Sequence, residues 1–287
     1  MANAIEISNL SKKYRNFELS NVSFSLPEGS IMGLIGENGA GKTTTLKAIL
    51  GLIKKDGGAV RLLGHEMDPR NEREIREQIG VVFEESNFHD SLRTPQISSI
   101  LGKVYQSWDS ALFGRYLSKF SLPSDKPIKQ FSTGMKRKLS LSAALAHHPK
   151  LLILDEATSG LDPVVRDEIL DLFLEFIQRE DHSILLSSHI TSDLDKIADY
   201  ITFLHGGRVI FSQSKDELLE QMGVLKCPLE QLAHFPREQI LRYRENQFGA
   251  EALIADKALF LQQHPGAIVD PASTEEIMLF YVRGKLL

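Results

Sequence analysis

The fold of this chain is decided by the stretch Gly36-Glu37-Asn38-Gly39-Ala40-Gly41-Lys42-Thr43-Thr44. It fits the pattern GxxxxGK(S/T), and it stands between a short apolar segment and a run of apolar residues at helical spacing. Glycines permit a tight turn whose backbone N–H groups point inward, and the helix that follows adds the positive end of its dipole. Such a loop holds a polyphosphate, with Lys42 as the charge for the β- and γ-phosphates and the Thr43 hydroxyl as a ligand for Mg²⁺. The stretch therefore predicts a nucleotide-binding loop.

A second apolar segment, residues 151–154, ends in the carboxylates Asp155 and Glu156. Burying unpaired carboxylates at the end of a strand is costly, and a cation beside the phosphates offsets that cost. We expect Asp155 to hold Mg²⁺, directly or through water, and Glu156 to orient and deprotonate the attacking water. Alone, this motif also fits a solvated acidic turn, but together with a phosphate-binding loop it indicates nucleotide hydrolysis.

Around these motifs, apolar segments alternate with amphipathic ones in the manner of an α/β domain over residues 1–213. Bare apolar strands are expected at 31–35, 79–83, 151–154 and 184–186. Strands this apolar, separated by helices, favour a parallel sheet that is buried on both faces. Alternating residues before position 27 predict an antiparallel hairpin, and apolar stripes predict a helical subdomain at about 91–148. The helix after the phosphate loop is expected to carry Leu46 to Ile53 and to stop near Gly57-Gly58.

A smaller pattern begins after residue 213 and predicts a C-terminal α+β domain over residues 214–287. Strands are expected near 224–227, 239–244, 251–255 and 267–270, with helices between the first two and between the last two. This order resembles a βαββαβ sandwich. Ser214 with Glu217, and Ser273 with Glu276, predict capping boxes for two further helices. The last of these helices is apolar over most of its surface, so we expect its own domain or a second subunit to cover it.

Composition restricts the class of protein further. The chain has 287 residues, of which 42% are hydrophobic and 25% charged, as in ordinary globular proteins. No apolar run approaches the ~20 residues of a membrane-spanning helix, and the N-terminus lacks a secretory pattern. The single cysteine, Cys227, fits a reducing cytosol. Because the net charge is -5, nucleic-acid binding has no electrostatic support. We therefore expect a cytoplasmic protein without a nucleic-acid partner.

A third motif, Phe131-Ser132-Thr133-Gly134-Met135, carries a specific resemblance. With the two motifs above it resembles the nucleotide-binding domain of an ABC (ATP-binding cassette) transporter, whose signature is LSGGQ, and the resemblance covers residues 2 to about 213. It implies a P-loop NTPase core that holds ATP and Mg²⁺ between the phosphate loop of one subunit and the signature motif of the other. Ser132 and Gly134 would then bind the γ-phosphate, with Thr133 between them. Taken alone, Ser132 also fits an ordinary helix N-cap.

The resemblance assigns roles to further residues. Ser159-Gly160-Leu161-Asp162 matches the D-loop, which crosses the interface between the two subunits, and His189 matches the switch histidine that contacts the γ-phosphate. Tyr14 resembles the aromatic residue that stacks on adenine, although packing within the hairpin is the alternative. The predicted nucleotide-binding residues are Tyr14, Gly36, Glu37, Asn38, Gly39, Ala40, Gly41, Lys42, Thr43, Thr44, Ser132, Thr133, Gly134 and Asp162. The predicted catalytic residues are Glu156, His189 and Glu84, and the predicted metal ligands are Thr43, Glu84 and Asp155.

Glu84 departs from the family pattern, which usually has a glutamine after this strand. A carboxylate can still ligate Mg²⁺, but it adds negative charge near the γ-phosphate and lacks the donor of the amide. We therefore expect binding to depend steeply on Mg²⁺ and turnover to be modest. The signature departs as well, because Thr133, Met135 and Lys138 replace a glycine, a glutamine and an arginine.

The resemblance implies an ATP-binding and ATP-hydrolysing subunit of a multi-subunit transporter. It would dock on separate transmembrane permease subunits at the inner face of the cell membrane and pair with a second ABC ATPase subunit, either a copy of itself or a related chain. The segment from Glu84 to Thr94 and the helical subdomain would receive the permease, with Phe88 and Leu92 as candidate contacts or as ordinary packing residues. The degenerate signature, Glu84 and the ending at 272–284 resemble bacterial exporters of drugs or antimicrobial peptides, similar to bacitracin-resistance systems.

Three alternatives stay open. An importer ATPase is the nearest, although sugar importers of the family usually carry a longer regulatory domain. A cassette that acts on ribosomes or DNA usually has two cassettes, a coiled-coil insertion or a zinc module, and the sequence has none of these. A silent regulatory cassette is disfavoured because Glu156 and His189 are both present.

Overall fold

The strands and helices alternate along the chain in the order of an α/β protein. In the computed structural model, which describes residues 2–68, 70–84 and 88–287, the strands are β1 (Asn3–Lys13), β2 (Glu18–Pro27), β3 (Ile31–Ile35), β4 (Gly57–Leu62), β5 (His65–Glu66), β6 (Ile79–Val82), β7 (Leu151–Asp155), β8 (Ser183–Ser188), β9 (Tyr200–His205), β10 (Arg208–Ser214), β11 (Gly223–Cys227), β12 (Ile240–Asn246), β13 (Gly249–Ile254) and β14 (Ile268–Pro271). The helices are α1 (Lys42–Ile49), α2 (Glu72–Glu77), α3 (Thr94–Val104), α4 (Ser110–Lys119), α5 (Thr133–Leu145), α6 (Pro163–Phe176), α7 (Thr191–Ile197), α8 (Lys215–Gln221), α9 (Leu229–Leu232), α10 (Lys257–Gln263) and α11 (Thr274–Arg283). None of these helices is long and apolar enough to span a membrane.

The central sheet has the order β10-β9-β3-β8-β7-β6, and its pairs from β9 to β6 are parallel. Every residue of β3, β7 and β8 is buried, as expected for strands covered on both faces. The predicted parallel sheet is therefore confirmed. Because the strands are parallel, the carboxyl ends of β3, β7 and β8 lie at one edge of the sheet, where α/β proteins bind ligands.

The N-terminal hairpin forms a second, antiparallel sheet with the order β2-β1-β4-β5, which confirms the predicted β-subdomain. The predicted extent of the first helix is wrong, because α1 ends at Ile49 and Gly51 adopts a φ of +66°. The Gly57-Gly58 pair opens β4 instead of terminating a helix. At Gly58 a Cβ atom would lie only 2.4 Å from the carbonyl oxygen of Asn9 in β1, so the close strand pairing requires glycine there.

The predicted helical subdomain is confirmed as α3, α4 and α5, which occupy the stretch between β6 and β7. Buried aromatic and aliphatic side chains stabilise this subdomain, including Ile97 on α3 and Phe113 on α4. Tyr105, directly after α3, stacks on His147, which follows α5, and the two ring centroids are 4.0 Å apart. Helix α5 carries the signature motif at its N-terminus.

The chain divides into two compact units, Met1–Ile210 and Phe211–Leu287, so the division falls within β10. In the second unit the sheet has the order β12-β13-β11-β14 with antiparallel neighbours, which is the order of a βαββαβ sandwich. The capping box of Ser273 is present, whereas the Ser214 side chain makes no capping hydrogen bond, so that predicted box is wrong. Helix α11 is covered within its own unit, since Phe280 is buried under the Arg244 guanidinium, 4.1 Å from the ring centroid.

Candidate active site

The phosphate loop connects the end of β3 with the start of α1, as the sequence predicts. Gly41 is the residue before the helix and has a φ of +109°, a left-handed conformation that favours glycine. A Cβ atom at Gly36 would lie 2.3 Å from the Leu204 carbonyl oxygen, and one at Gly41 would lie 2.7 Å from the Phe17 ring. The loop therefore needs glycine at both positions because the surrounding chain approaches so closely.

The tip of the loop, residues 37–39, is open to solvent. Its base is held by Ala40, which is buried and whose carbonyl oxygen accepts a hydrogen bond from the Gly207 amide at 3.1 Å. Glu37 Oε1 lies 3.1 Å from Nδ1 of His205, the last residue of β9, so the β9–β10 hairpin contacts the loop twice. This leaves the tip accessible while its base is fixed.

Lys42 lies inside the site, with only 6% of its surface exposed. Its Nζ donates a hydrogen bond to the Gly36 carbonyl oxygen at 2.8 Å and lies 3.3 Å from Glu156 Oε1. Thr44, two positions on, is half-buried in the first turn of α1. A phosphate in the loop would compete for the Lys42 ammonium with the Gly36 carbonyl oxygen and with the Glu156 carboxylate.

Asp155 ends β7 and is buried, with both carboxylate oxygens engaged. Its Oδ2 accepts a hydrogen bond from Thr43 Oγ1 at 2.8 Å, and its Oδ1 accepts one from Ser187 Oγ at 2.5 Å. Glu84, which follows β6, is exposed and lines a cavity of about 730 Å³ together with Thr43 and Asp155. The structure thus brings the predicted metal ligands to one cavity.

This oxygen-rich set fits Mg²⁺, which prefers hydroxyl and carboxylate oxygens and usually takes one or two protein carboxylates beside substrate phosphates. Across residues 2–68, 70–84 and 88–287, no cluster of three or more His, Cys, Asp or Glu side chains forms a metal site by itself. The residues present therefore match a metal that binds together with a nucleotide, as the Thr43–Asp155 pair suggests.

Glu156 connects the phosphate loop with the end of β8. It is buried, and its backbone has a φ of +51°, which is uncommon for a residue with a side chain. Its Oε2 lies 2.7 Å from Nδ1 of His189, and its Oε1 faces the Lys42 ammonium. His189 itself is exposed. The carboxylate is thus held between a cation and an imidazole, an arrangement that suits a general base with a positioned partner.

The signature motif and the D-loop lie at two helix N-termini. Ser132 Oγ accepts a hydrogen bond from the Met135 amide at 3.2 Å, and Asp162 Oδ1 accepts one from the Val165 amide at 3.1 Å. Ser132 and Thr133 are exposed, and Gly134 is half-buried. Over the described ranges, no hydrogen bond or ion pair joins Ser132–Gly134 or Asp162 to Lys42 or Asp155. Within one chain, Thr133 and Glu84 line a common cavity, and this is the one contact of the two halves that the described residues show.

Tyr14 lies in the turn between β1 and β2 and is 44% exposed. Its amide donates a hydrogen bond to the Phe17 carbonyl oxygen at 2.8 Å, and the Lys12 ammonium lies 5.5 Å from its ring centroid. The aromatic side chain that contacts the phosphate loop is Phe17, which lies against Gly41. Sequence reasoning missed Phe17, because its position after the turn carries no signal of this contact.

Sequence reasoning also missed Arg137 on α5. This guanidinium is only 5% exposed, and its Nη1 donates a hydrogen bond to the Phe83 carbonyl oxygen at 2.8 Å, directly before Glu84. Burial lowers the pKa of Arg137, while the carboxylates of Glu84, Asp155 and Glu156 act in the opposite direction. Arg137 therefore places a positive charge beside the acidic residues of the site. It stands between Lys136 and Lys138 in the sequence, so no local pattern distinguishes its buried side chain from theirs.

The parallel sheet carries a phosphate loop after β3, an acidic pair at the end of β7 and a histidine beside that pair. This combination defines a P-loop ATPase of the ATP-binding cassette class. The chain belongs to the ABC transporter family, whose model matches residues 19–159. It is an ATP-binding subunit of this family and an ATPase.

The relatives agree with this assignment. The lantibiotic transport ATP-binding protein SrtF of Streptococcus pyogenes is 35% identical over 223 residues, which cover 76% of this chain and 95% of that protein. The bacitracin transport ATP-binding protein BcrA of Bacillus licheniformis is 32% identical over 213 residues, covering 73% of this chain and 69% of that one. A solved structure described as the ATP binding subunit of an ABC transporter superposes with a TM-score of 0.67 at 29% identity, covering 75% of this chain and 91% of that one.

Proposed function

We propose that this chain powers an exporter of drugs or antimicrobial peptides by hydrolysing ATP beneath separate membrane-spanning permease subunits. One observation carries the proposal: five side chains contact one another at one edge of the parallel sheet, namely Lys42, Thr43, Asp155, Glu156 and His189. The two relatives are named for lantibiotic and bacitracin transport, which supports a cargo of this class.

The site residues divide the work of hydrolysis. Lys42 and the loop amides bind the β- and γ-phosphates. Thr43 and Asp155, with Glu84 at the same cavity, would hold Mg²⁺, which when bound neutralises charge on the phosphates. Glu156 orients the attacking water and accepts its proton, because its carboxylate is fixed on both sides.

The second half of the site comes from another ATPase subunit. Ser132, Thr133 and Gly134 present a hydroxyl and free amides at the N-terminus of α5, a 13-residue helix whose dipole favours an anion. Because no hydrogen bond joins them to Lys42 among the described residues, we propose that they act on ATP bound to the other subunit, with Asp162 at the interface. That subunit is a second copy or a related chain.

The permease contact is proposed for the helical subdomain, at the inner face of the membrane. On α3, Ile100 is 47% exposed and Val104 is 56% exposed, whereas Phe88 and Leu92 are half-buried. Residues 85–87 of the predicted contact segment lie outside the described residues. Exposed aliphatic side chains on one helix support an interaction surface for an apolar partner.

Purification from native membranes in mild detergent, followed by mass spectrometry, tests this function. We expect a stoichiometric multi-helix membrane protein to copurify, and we expect Ile100→Glu with Val104→Glu to lose it while ATP binding is unchanged. Leu174→Glu, at an exposed position of α6, is the matched control and should keep the partner. Recovery with only ribosomes or DNA would contradict the transporter role and leave only the ATPase.

A further inference from the structure

A serine in β8 joins the two acidic residues of the site, although none of the sequence motifs contains it. Ser187 is fully buried and is the strand partner of Asp155 in the parallel β7–β8 pair. Its Oγ lies 2.5 Å from Asp155 Oδ1 and 3.2 Å from the Glu156 amide nitrogen. One hydroxyl therefore contacts both residues on which Mg²⁺ binding and water activation depend.

The hydrogen-bonding capacity of this hydroxyl fits both contacts. A serine hydroxyl has one proton to donate and lone pairs with which to accept. An ionised carboxylate only accepts and a backbone amide only donates, so Ser187 donates to Asp155 and accepts from Glu156. Because Oδ1 of Asp155 is engaged in this way, its Oδ2 is the oxygen that faces Thr43, at 2.8 Å from Oγ1.

The backbone of Glu156 needs such support. Its φ of +51° lies in the left-handed region, which is unfavourable for a residue with a Cβ atom and persists where the surroundings enforce it. The Glu156 amide contacts both oxygens of Ser187, the carbonyl at 3.1 Å and the hydroxyl at 3.2 Å. This bend in the chain directs the Glu156 carboxylate to His189 and Lys42.

We propose that Ser187 is a positioning residue of the ATPase site, which fixes the Asp155 carboxylate for Mg²⁺ and the Glu156 backbone for water activation. The proposal rests on the proposed function, in which Asp155 holds the metal and Glu156 is the base. Hydroxyls that orient a metal-binding carboxylate act on metal affinity without touching the metal.

The test uses the full chain with Ser187→Ala, which removes the hydroxyl, and Ser187→Cys, which keeps the volume but donates weakly. Ser142→Ala is the matched control, because Ser142 is also fully buried but donates only to the Lys138 carbonyl oxygen. Calorimetry gives ADP affinity with and without Mg²⁺, and electron paramagnetic resonance follows Mn²⁺ binding in the presence of ADP. Thermal unfolding shows that each variant is folded.

For both Ser187 variants we expect ADP affinity without Mg²⁺ to stay unchanged, while the affinity for Mn²⁺ falls by about tenfold. Ser142→Ala should keep the wild-type metal affinity. If Ser187→Cys behaves like wild type, or if both variants lose ADP affinity equally with and without metal, Ser187 only fills space and the proposal is wrong. If the wild-type chain shows no metal-dependent ADP binding at all, the proposed function fails instead.

Discussion

The acidic residues of the site differ in how tightly their side chains are held. Asp155 and Glu156 are buried, and each carboxylate has partners at both oxygens. Glu84 is exposed at the edge of the cavity, and the guanidinium of Arg137 is among the charges around it. A fixed carboxylate supports chemistry that depends on geometry, whereas an exposed one acts mainly through its charge.

Replacing Glu84 by glutamine should make nucleotide binding less dependent on Mg²⁺. The carboxylate adds negative charge near the phosphates, which the metal must offset, and the amide removes that charge while supplying a donor. We expect the ADP affinity of Glu84→Gln to change less between metal-free and Mg²⁺-saturated solution than that of wild type, and its ATPase rate at saturating Mg²⁺ to rise. Glu180→Gln changes an exposed carboxylate outside the site and should leave the Mg²⁺ profile as in wild type. An unchanged profile for Glu84→Gln would show that its charge is not felt by the nucleotide.

His147 should make the protein less stable in mild acid. Burial lowers the pKa of His147 below its ordinary value of 6.5, so the unfolded chain takes up the proton more readily than the folded one. The free energy of unfolding should therefore fall as the pH drops below about 6.5. Urea unfolding measures how much free energy of unfolding is lost between pH 7.5 and pH 5.5. This loss should be smaller in His147→Gln than in wild type by about 1 kcal/mol.

His89→Gln is the control for that measurement, because His89 is exposed and its ring Nδ1 lies 2.8 Å from the Ser91 hydroxyl. It should keep the full acid-dependent loss. Some loss should also persist in His147→Gln, since burial lowers the pKa of His182 as well. An acid-dependent loss equal to that of wild type in His147→Gln would contradict the assignment.

Arg137 couples helix α5 to the end of strand β6. Removing it in Arg137→Met leaves the Phe83 carbonyl oxygen without its donor and removes the positive charge beside three carboxylates. We expect the free energy of unfolding to fall by about 1–3 kcal/mol, measured by urea unfolding, and ATPase activity to fall with it. Lys136→Met should cost less than ~1 kcal/mol, because Lys136 makes a surface ion pair with Asp90 at 3.3 Å. Equal costs for the two variants would mean that Arg137 has no special role.

The elements around the phosphate loop could be predicted closely because local signals and the global fold agree there. Strand β3, the glycine-rich turn and the start of α1 each have their own pattern, as has the capping box of Ser273. The end of α1 was missed because Gly51 and the Gly57-Gly58 pair both carry a breaker signal, and only the pairing of β4 with β1 shows which one ends the helix.

The contacts that complete the site could not be predicted from the sequence, for a different reason. Ser187 and Arg137 act on residues that are distant along the chain, through strand register and helix packing. No periodicity or spacing in the sequence distinguishes the serine at 187 or the arginine at 137 from a surface residue. The motifs fix which residues react, whereas the positioning residues depend on the three-dimensional arrangement.

For the molecule as a whole, every residue assigned to the site lies in the first of the two units. A chain shortened to residues 1–214 should therefore bind ADP with the affinity of the full chain, because a compact unit with its own core can fold alone. Calorimetry on the shortened chain, with circular dichroism as the control for folding, measures this. A folded shortened chain that fails to bind ADP would show that the second unit is needed for the nucleotide site.

The role of Glu156 as the base is tested by measuring both ATP hydrolysis and ATP binding in the Glu156→Gln variant. The glutamine keeps the shape of Glu156 but cannot accept a proton, so hydrolysis should fall by about 100-fold or more. ATP binding should persist, because Lys42, Thr43 and Asp155 are unchanged. Hydrolysis at the wild-type rate in this variant would contradict the assignment of Glu156 as the base and with it the account of the site.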